Sequence, residues 1–511
     1  MGTEKWGLGV LVSLLVVAGL VAPVSAAYDI EDLSGTWSIH GLVSGADPNV
    51  AGCFYMTGTA DTAGGATATS YADSQGVTAA TWAENSATFA LSGGGILSID
   101  SNDVPFHGAV SWDEDLVVSG GTLIPGPDTG LTGYNLWVWV PQTTTPTFTA
   151  ADGAGTWWIH GLYVSNDWGS WSHGQLQIDA AGNFSFVAGT WALSDDPDAN
   201  EPEDGSFTIT PFGVIGLSFD PNVHGILNLD KDLIVFTMPE ENGGGLNIMQ
   251  KRSGGVTFST ADLAGTWNLH EIFAGADADW TGWSYGVVEA DNTGAVDVSY
   301  VGNDEAGTAS DTLAITSGGI VTVASDPNSH GTMSDDKNLI VVTMDNGPGG
   351  AELLILTRAI VSPVHRFWSS VYACHFYTIS EAVKNYVLAT WPDAWEYETE
   401  AYYAFPENSV PDLSPIYRFW SETYAAHFYT ISEDDKNYVM NTWPDTWAYE
   451  GAVAYAYAPG DQPPDASPVY RFWSETLACH FYTISEADKN YVLATWPDVW
   501  EYEEIAWYAY D

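Results

Sequence analysis

Between Tyr28 and about residue 360 the chain alternates apolar and polar residues in short runs broken by Gly, Asp and Asn. The stretch "GILNLDKDLIVFT" is the plainest case: two period-two runs separated by a polar turn at Asp230-Lys231-Asp232, which predicts a β-hairpin. Read the same way, the middle of this region yields eight strands, namely "GTWWIHG", "HGQLQID", "NFSFVAG", "SFTIT", "VIGLSFD", "HGILNLD", "LIVFTM" and "LNIMQK". Helical periodicity is almost absent, so the pattern predicts an all-β antiparallel meander.

The meander is written three times. "LSGTWSIHG", "GAGTWWIHG" and "LAGTWNLHE" open the units at Trp37, Trp157 and Trp267, and "FHGAVSWDEDLVVSG", "VHGILNLDKDLIVFT" and "SHGTMSDDKNLIVVT" recur later in each. Two architectures fit eight strands per unit. Because "HGQLQIDAAGNFSF" resembles "HGILNLDKDLIVFT", each unit divides into two four-stranded halves, and residues 28–360 then read as a six-bladed β-propeller. Ring closure also protects strand edges, which favours this reading. The alternative is three eight-stranded barrels, since the Gly-x-Trp on the first strand is similar to that of lipocalins.

From residue 361 the pattern changes. A unit is repeated three times, with starts marked by Arg366, Arg418 and Arg471, and each later copy follows a segment rich in Pro and acid, "FPENSVPDLSP" or "APGDQPPDASP". Each copy reads as a strand ("YRFW"), a second strand ("HFYTIS"), a short helix and a third strand such as "WEYEEIAWYAY". Ser485 with Asp488, and Ser432 with Asp435, form capping boxes; copy one has Val383 in place of the acid. Trp391-Pro392 and its equivalents end the helices. Units this small bury too little apolar surface alone, so three copies predict a pseudo-threefold, β-trefoil-like module over 361–511.

The "YRFW…HFYTISE…NYV…W-x-YE" core resembles a tandem-repeat family of unknown function in exported bacterial proteins, often joined to cell-wall or polysaccharide-active modules. The resemblance implies architecture and an extracellular or cell-surface location more than chemistry. Copy one departs from it at His365, where the others have Tyr417 and Tyr470, and at Thr399, where copy two has Gly451.

Composition narrows the classes. The net charge is −54, from 66 acidic against 12 basic residues, which excludes nucleic acid as a partner. At 45% hydrophobic and 14% aromatic the chain is too apolar for a disordered acidic protein. "MGTEKWGLGVLVSLLVVAGLVAPVSAAYD" carries Lys5, an apolar run from Leu8 to Val21 and small residues ending at Ala26, the pattern of a signal peptide over residues 1–26. No later run is long enough for a membrane-spanning helix, so the mature chain is expected outside the membrane, extracellular or periplasmic. Cys374 and Cys479 occupy one repeat position, held by Ala426 in copy two, and are a candidate disulfide in an exported protein.

Candidate chemistry is sparse. His40, His160 and His270 follow the first-strand Trp at one offset, and on a propeller channel they are candidate metal ligands; in the alternative each bonds locally. Asp196 and Asp198 in "SDDPDANEPEDGS" are candidate oxygen ligands for Ca²⁺. Arg clusters, Gly-x-Ser-x-Gly, His-Glu-x-x-His and phosphate loops are missing, so the sequence points away from an enzyme.

The Trp-Pro-Asp-x-Trp-x-Tyr segments concentrate rings beside carboxylates, the composition of a lectin-like surface. Trp395, Tyr397, Trp447, Tyr449, Trp500 and Tyr502, with His375, His427 and His480, are the candidate ligand-binding residues. His in each copy also reads as a half-buried structural residue, and each Arg as the partner of Glu398, Glu450 or Glu503. The sequence therefore predicts a secreted or cell-surface protein that binds polysaccharide or cell-wall glycan. The alternatives are an extracellular carbohydrate-active enzyme targeted by its C-terminal module, and a structural matrix protein.

Overall fold

The eight strands predicted for the middle unit all form, and so do eight in each of the other two; what differs from the expected propeller is how they close. The structure is a computed structural model. It describes residues 30–510 apart from 46–50, 75–86, 92–95, 100–105, 112–115, 124–132, 166–167, 195–201, 241–242, 276–280, 303–305, 347–349, 360, 407–412, 461 and 463–465. The signal-peptide reading of residues 1–26 lies outside the described residues. Contacts divide the chain into two compact units, Asp29–Leu91 with Gly95–Ala359, and the part that holds Ile360–Asp511.

In the first unit the opening strand of each repeat pairs with the last strand of the same repeat. Trp37 lies opposite Pro141, Trp157 opposite Lys251, and Trp267 opposite Arg358. The strands from Gly35–Ser44 to Gly133–Pro141 and from Gly265–Ala274 to Ala351–Arg358 are closed barrels. Between them, Gly169–Ile178 pairs with Asn183–Phe186 to complete a third ring, with Ala192–Leu193 added at its edge. The architecture is three eight-stranded barrels and not a six-bladed propeller. The two half-units resemble one another because both are antiparallel hairpins with acidic turns; hairpin periodicity is the same in either fold, and only the non-local pairing of first with last strand separates them.

Each barrel has the same floor. A short 3₁₀ helix (Ile30–Leu33, Ala150–Gly153, Thr260–Asp262) precedes the first strand. The indole N–H of Trp37, Trp157 and Trp267 donates to Leu33, Gly153 and Leu263 carbonyls at 2.8 Å. Lys251 and Arg358 lie over the Trp157 and Trp267 rings, 5.2 and 4.2 Å from their centroids. Lys231 and Lys337, at the hairpin turns, pair with Asp152 and Asp262 of the 3₁₀ helices at 2.8 and 2.6 Å. Lys231, Lys251, Lys337 and Arg358 thus seal barrels two and three, while Arg252 reaches from barrel two to Asp335 of barrel three.

The barrels pack in a cycle. The second strand of barrel one (Gly52–Ala60) lies on the last two strands of barrel two, that of barrel two on barrel three, and that of barrel three on barrel one. Their outward faces share one apolar core, with Leu42, Val138, Leu162, Leu246, Ile272 and Leu353 in it. Close approach shows at Gly244, where a Cβ would collide with Cys53.

The second unit contains three copies of strand, strand, helix and strand. The hairpins are Ser362–Ser369 with Cys374–Thr378, Leu413–Ser421 with Ala426–Thr430, and Ser467–Ser474 with Cys479–Thr483. Helices α1 (Glu381–Thr390), α2 (Glu433–Thr442) and α3 (Glu486–Thr495) follow. The third strands are Glu396–Ala404, Ala448–Tyr457 and Glu501–Ala509.

The copies close around an axis of tyrosines. The Tyr377 hydroxyl donates to the Tyr482 carbonyl and accepts from its N–H; Tyr429 does the same for Tyr377, and Tyr482 for Tyr429, at 2.7 to 3.1 Å. Phe405, Tyr457 and Tyr510 make a second triangle, with centroids 5.8 to 6.4 Å apart. The expected threefold closure is present, and each copy has the expected order of strand, strand, short helix and strand. Helix starts differ from the capping box. Ser380, Ser432 and Ser485 accept from the N–H three residues on, while their own N–H groups donate to Thr378, Thr430 and Thr483. The carboxylates of Asp435 and Asp488 accept from the threonine hydroxyls instead. No helix among the described residues is long and apolar enough to cross a membrane.

Candidate functional site

The repeated "HFYT" is an inward-facing device. His375, His427 and His480 sit 3.4 to 3.5 Å from Glu398, Glu450 and Glu503, which also hold Arg366, Arg418 and Arg471 at 2.7 to 2.8 Å. Each His ring packs on a Phe of the neighbouring copy, at 4.9 to 5.0 Å, and each Arg lies over that same Phe. Burial lowers all three imidazoles below their ordinary range against the pull of the neighbouring carboxylate. These His side chains are largely enclosed, so the residue type that suggested ligand contact serves closure.

The second Trp of each Trp-Pro-Asp-x-Trp segment is also directed inward. Trp395 and Trp500 are 6% and 8% exposed, and Trp447 is half-buried against Phe428. Tyr449 and Tyr502 are more open, while Tyr397 packs on Phe367. In copies two and three the first Trp of the segment faces out instead, while Trp391 of copy one is partly buried against the module core. Trp443 and Trp496 are both 44% exposed, beside Tyr438 and Tyr491 at 58% and 59%. The Tyr and Trp rings meet edge to face at 5.2 and 5.3 Å, and Tyr386 with Trp391 repeats the pair at 5.3 Å. These corners exist because the helix ends at the Trp, which leaves helical φ/ψ (φ −130° at Trp443 and Trp496), so its ring folds back over the Tyr one turn earlier. Asp393, Asp445 and Asp498 are exposed two residues on. The helical pattern could have found the Tyr residues: each precedes the buried helix valine (Val387, Val439 or Val492), so it falls on the outer face.

The cysteines form no disulfide. Cys374, Ala426 and Cys479 share one repeat position, and both thiols are free and buried. The Cys374 thiol donates to the Ala425 carbonyl and the Cys479 thiol to that of Ala373, each at 3.5 Å. Each sulfur is thus aimed along the ring at the next copy's left-handed alanine (φ 51° at Ala425, 55° at Ala373) rather than at the other sulfur. Burial pushes the Cys479 thiol up to about 12 and that of Cys374 higher still. Alkylation with iodoacetamide at pH 8, read by intact mass, should leave Cys374, Cys479 and the equally buried Cys53 unlabelled in the folded protein and add three labels in urea; native labelling or an oxidised pair contradicts this.

His40, His160 and His270 do not converge on a metal. They are distributed to the three barrel interfaces, each meeting the His of the later His-Gly signature on another barrel. His160 Nε2 lies 3.0 Å from His330 Nδ1, His270 Nε2 3.0 Å from His107 Nδ1, and His40 stacks on His224 at 5.2 Å. Tyr55, Tyr285 and His173 stack in turn on His224, His107 and His330 at 3.8 to 3.9 Å. No group of three or more His, Cys, Asp or Glu side chains able to hold a metal occurs among the described residues. The candidate Ca²⁺ ligands Asp196 and Asp198 lie outside them.

These stacks carry a pH dependence. Burial pulls His107, His173 and His224 down to about 4 and His330 to about 3, and holds His40, His160 and His270 well below the usual range. The unfolded chain, with imidazoles near 6.5, therefore binds more protons, so this contribution to stability is complete above pH 6.5 and is lost as pH falls toward 4. Thermal melts from pH 7 to 4 should show that fall, and a His107→Phe, His224→Phe, His330→Phe variant should show a flatter one. An equally steep fall in the variant contradicts the assignment.

No curated protein matches the chain. Solved structures with some similarity include a protein of unknown function from the DUF3598 family of Nostoc punctiforme, at 13% identity over 40% of this chain and 96% of that one, TM-score 0.16. Isotype 1 transferrin binding protein B of serogroup B Neisseria meningitidis shows 9% identity over 60% of this chain and 63% of that one, TM-score 0.20. A mutant of the vaccine antigen transferrin binding protein B from Haemophilus parasuis Hp5 shows 9% over 64% and 76%, TM-score 0.21. Scores this low carry no argument. Residues 363–510 match the family described as Domain of unknown function (DUF5648), so the C-terminal repeats fall in a family to which that description assigns no activity.

Proposed function

We propose that this is an exported binding protein that recognises polysaccharide or cell-wall glycan through the outer corners of its C-terminal module. The observation that supports this most is the Tyr–Trp pair on each copy, Tyr386–Trp391, Tyr438–Trp443 and Tyr491–Trp496, with an exposed Asp beside it. Ring faces stack on the C–H faces of sugars, and carboxylates accept their hydroxyl hydrogens. The signal-peptide pattern of residues 1–26 supports an exported chain, on which such rings would meet extracellular glycan. The test is depletion of the full chain from solution by insoluble cellulose, chitin and peptidoglycan, beside a Trp443→Ala, Trp496→Ala variant. Loss of binding in a variant with unchanged melting supports the reading; equal binding by both, or none by either, refutes it.

A further inference from the structure

The third barrel differs from the other two inside. Where Glu271 stands on its first strand, barrels one and two have Gly41 and Gly161, at which a Cβ would run into the Phe54 ring and the Asn247 amide. On the last strand, inward Trp137 and Trp139 of barrel one correspond to Leu354 and Leu356 in barrel three. Smaller side chains leave a cavity of about 530 Å³ in the third barrel. That volume suits a small organic ligand.

The walls are mainly apolar, with Val288, Val296, Val298, Leu313, Val342 and Met344 among them. Three carboxylic acids line the cavity: Glu271 and Glu352 on neighbouring strands, and Asp311, whose carboxylate accepts from the Thr312 and Ser325 N–H groups. Glu271 pairs with Leu354 and Glu352 with Phe273, so the two are inward-pointing diagonal neighbours. No Lys, Arg or His lines the cavity. Burial pushes the Glu271 carboxyl up to about 7 in spite of its bond to Ser284. Burial, then Glu271, Asp326 and Asp345, raise Glu352 further. Two neighbouring acids in a mainly apolar cavity whose lining holds no cation are an unfavourable arrangement, and a bound cation relieves it.

We propose that the third barrel binds a small apolar amine, its ammonium group held by Glu271 and Glu352 and its hydrocarbon part along the valine and leucine walls. Binding of the single ammonium charge stabilises one ionised carboxylate of the pair while the other keeps its proton and donates to it, so a proton passes to the buffer from the carboxyl that ionises. A neutral or anionic ligand of the same shape gains no such pairing.

The experiment is calorimetric titration of the full chain with n-octylamine, 1-octanol and octanoate at pH 7, in two buffers of different ionisation enthalpy. Octylamine should bind one to one with proton release, 1-octanol about tenfold or more weaker, and octanoate not at all. Glu271→Gln with Glu352→Gln should weaken the amine about a hundredfold without lowering the melting temperature. Leu354→Trp, which supplies the ring of barrel one, should abolish binding with both acids in place. Equal affinity for the alcohol or the acid, undiminished amine binding by the Gln variant, or no binding of any probe overturns the proposal.

Discussion

Tyr429→Phe should lower stability by about 2–5 kcal/mol, although it removes a single oxygen. That hydroxyl accepts the N–H of Tyr377 at 3.1 Å and donates to its carbonyl at 2.8 Å, in a layer where all three tyrosines are buried. Phenylalanine fills the same space but leaves a buried donor and a buried acceptor unpaired, each costing about 1–3 kcal/mol. Tyr377→Phe and Tyr482→Phe orphan the equivalent groups of Tyr482 and Tyr429, so the three variants should fall together. Tyr424→Phe, on an exposed turn, should change stability by less than about 0.5 kcal/mol. Urea unfolding of residues near the axis, followed by hydrogen exchange, separates these cases. A loss under about 1 kcal/mol in all three axial variants would show that water reaches the layer.

Arg418→Ala should be worse than the same change at Arg366 or Arg471. The Arg418 and Glu450 side chains are both 4% exposed and 2.7 Å apart, whereas Glu398 and Glu503 keep about a third of their surface in water. Burial alone would raise the Glu450 carboxyl, but His427 and Arg418 hold it below its usual range. Removing the guanidinium strands an enclosed carboxylate, at a cost of about 3–5 kcal/mol. Water can solvate the partners left at the other two sites, where about 1 kcal/mol is expected. The asymmetry has a sequence origin. Arg366 and Arg471 each lie 3.7 Å from an aspartate on a neighbouring helix, Asp488 and Asp435, and copy one carries Val383 in the matching place. Equal losses in denaturant melts of the three variants would contradict this account.

Much of the fold was legible because it is local. The strands of "GTWWIHG" through "LNIMQK", the turn at Lys231 and the helix stop at Trp-Pro all follow from period, turn chemistry and backbone restriction. The Arg–Glu pairs were legible from charge scarcity, since so few cations stand opposite so many acids. What the sequence could not convey is non-local. Pairing of Trp157 with Lys251 makes a barrel of what hairpin similarity presents as two propeller blades. The His160–His330 contact joins residues on different barrels, and neither neighbourhood hints at the other.

The candidate site was legible as composition and not as orientation. Trp443 and Trp447 look interchangeable in "WPDTW", yet the helix end sends one ring to solvent and the other toward Phe428. Glu271 carries a signal in the sequence itself. It breaks the His-Gly of "IHG" in the third unit and falls on the inward side of a strand shared with Trp267 and Leu269. An acid at an inward position marks either a defect or a site.

The central claim is that the Tyr–Trp corners of the three copies act together on a polymer, and the most direct measurement is dissociation of the full chain from an immobilised polysaccharide as the corners are removed one by one. Trp443→Ala, then Trp496→Ala, then Tyr386→Ala, each at an exposed ring, should shorten retention in steps, with the triple variant about a hundredfold or more below the parent and its melting temperature unchanged. Retention that survives all three substitutions, or that disappears at the first and is unaffected by the rest, would contradict it.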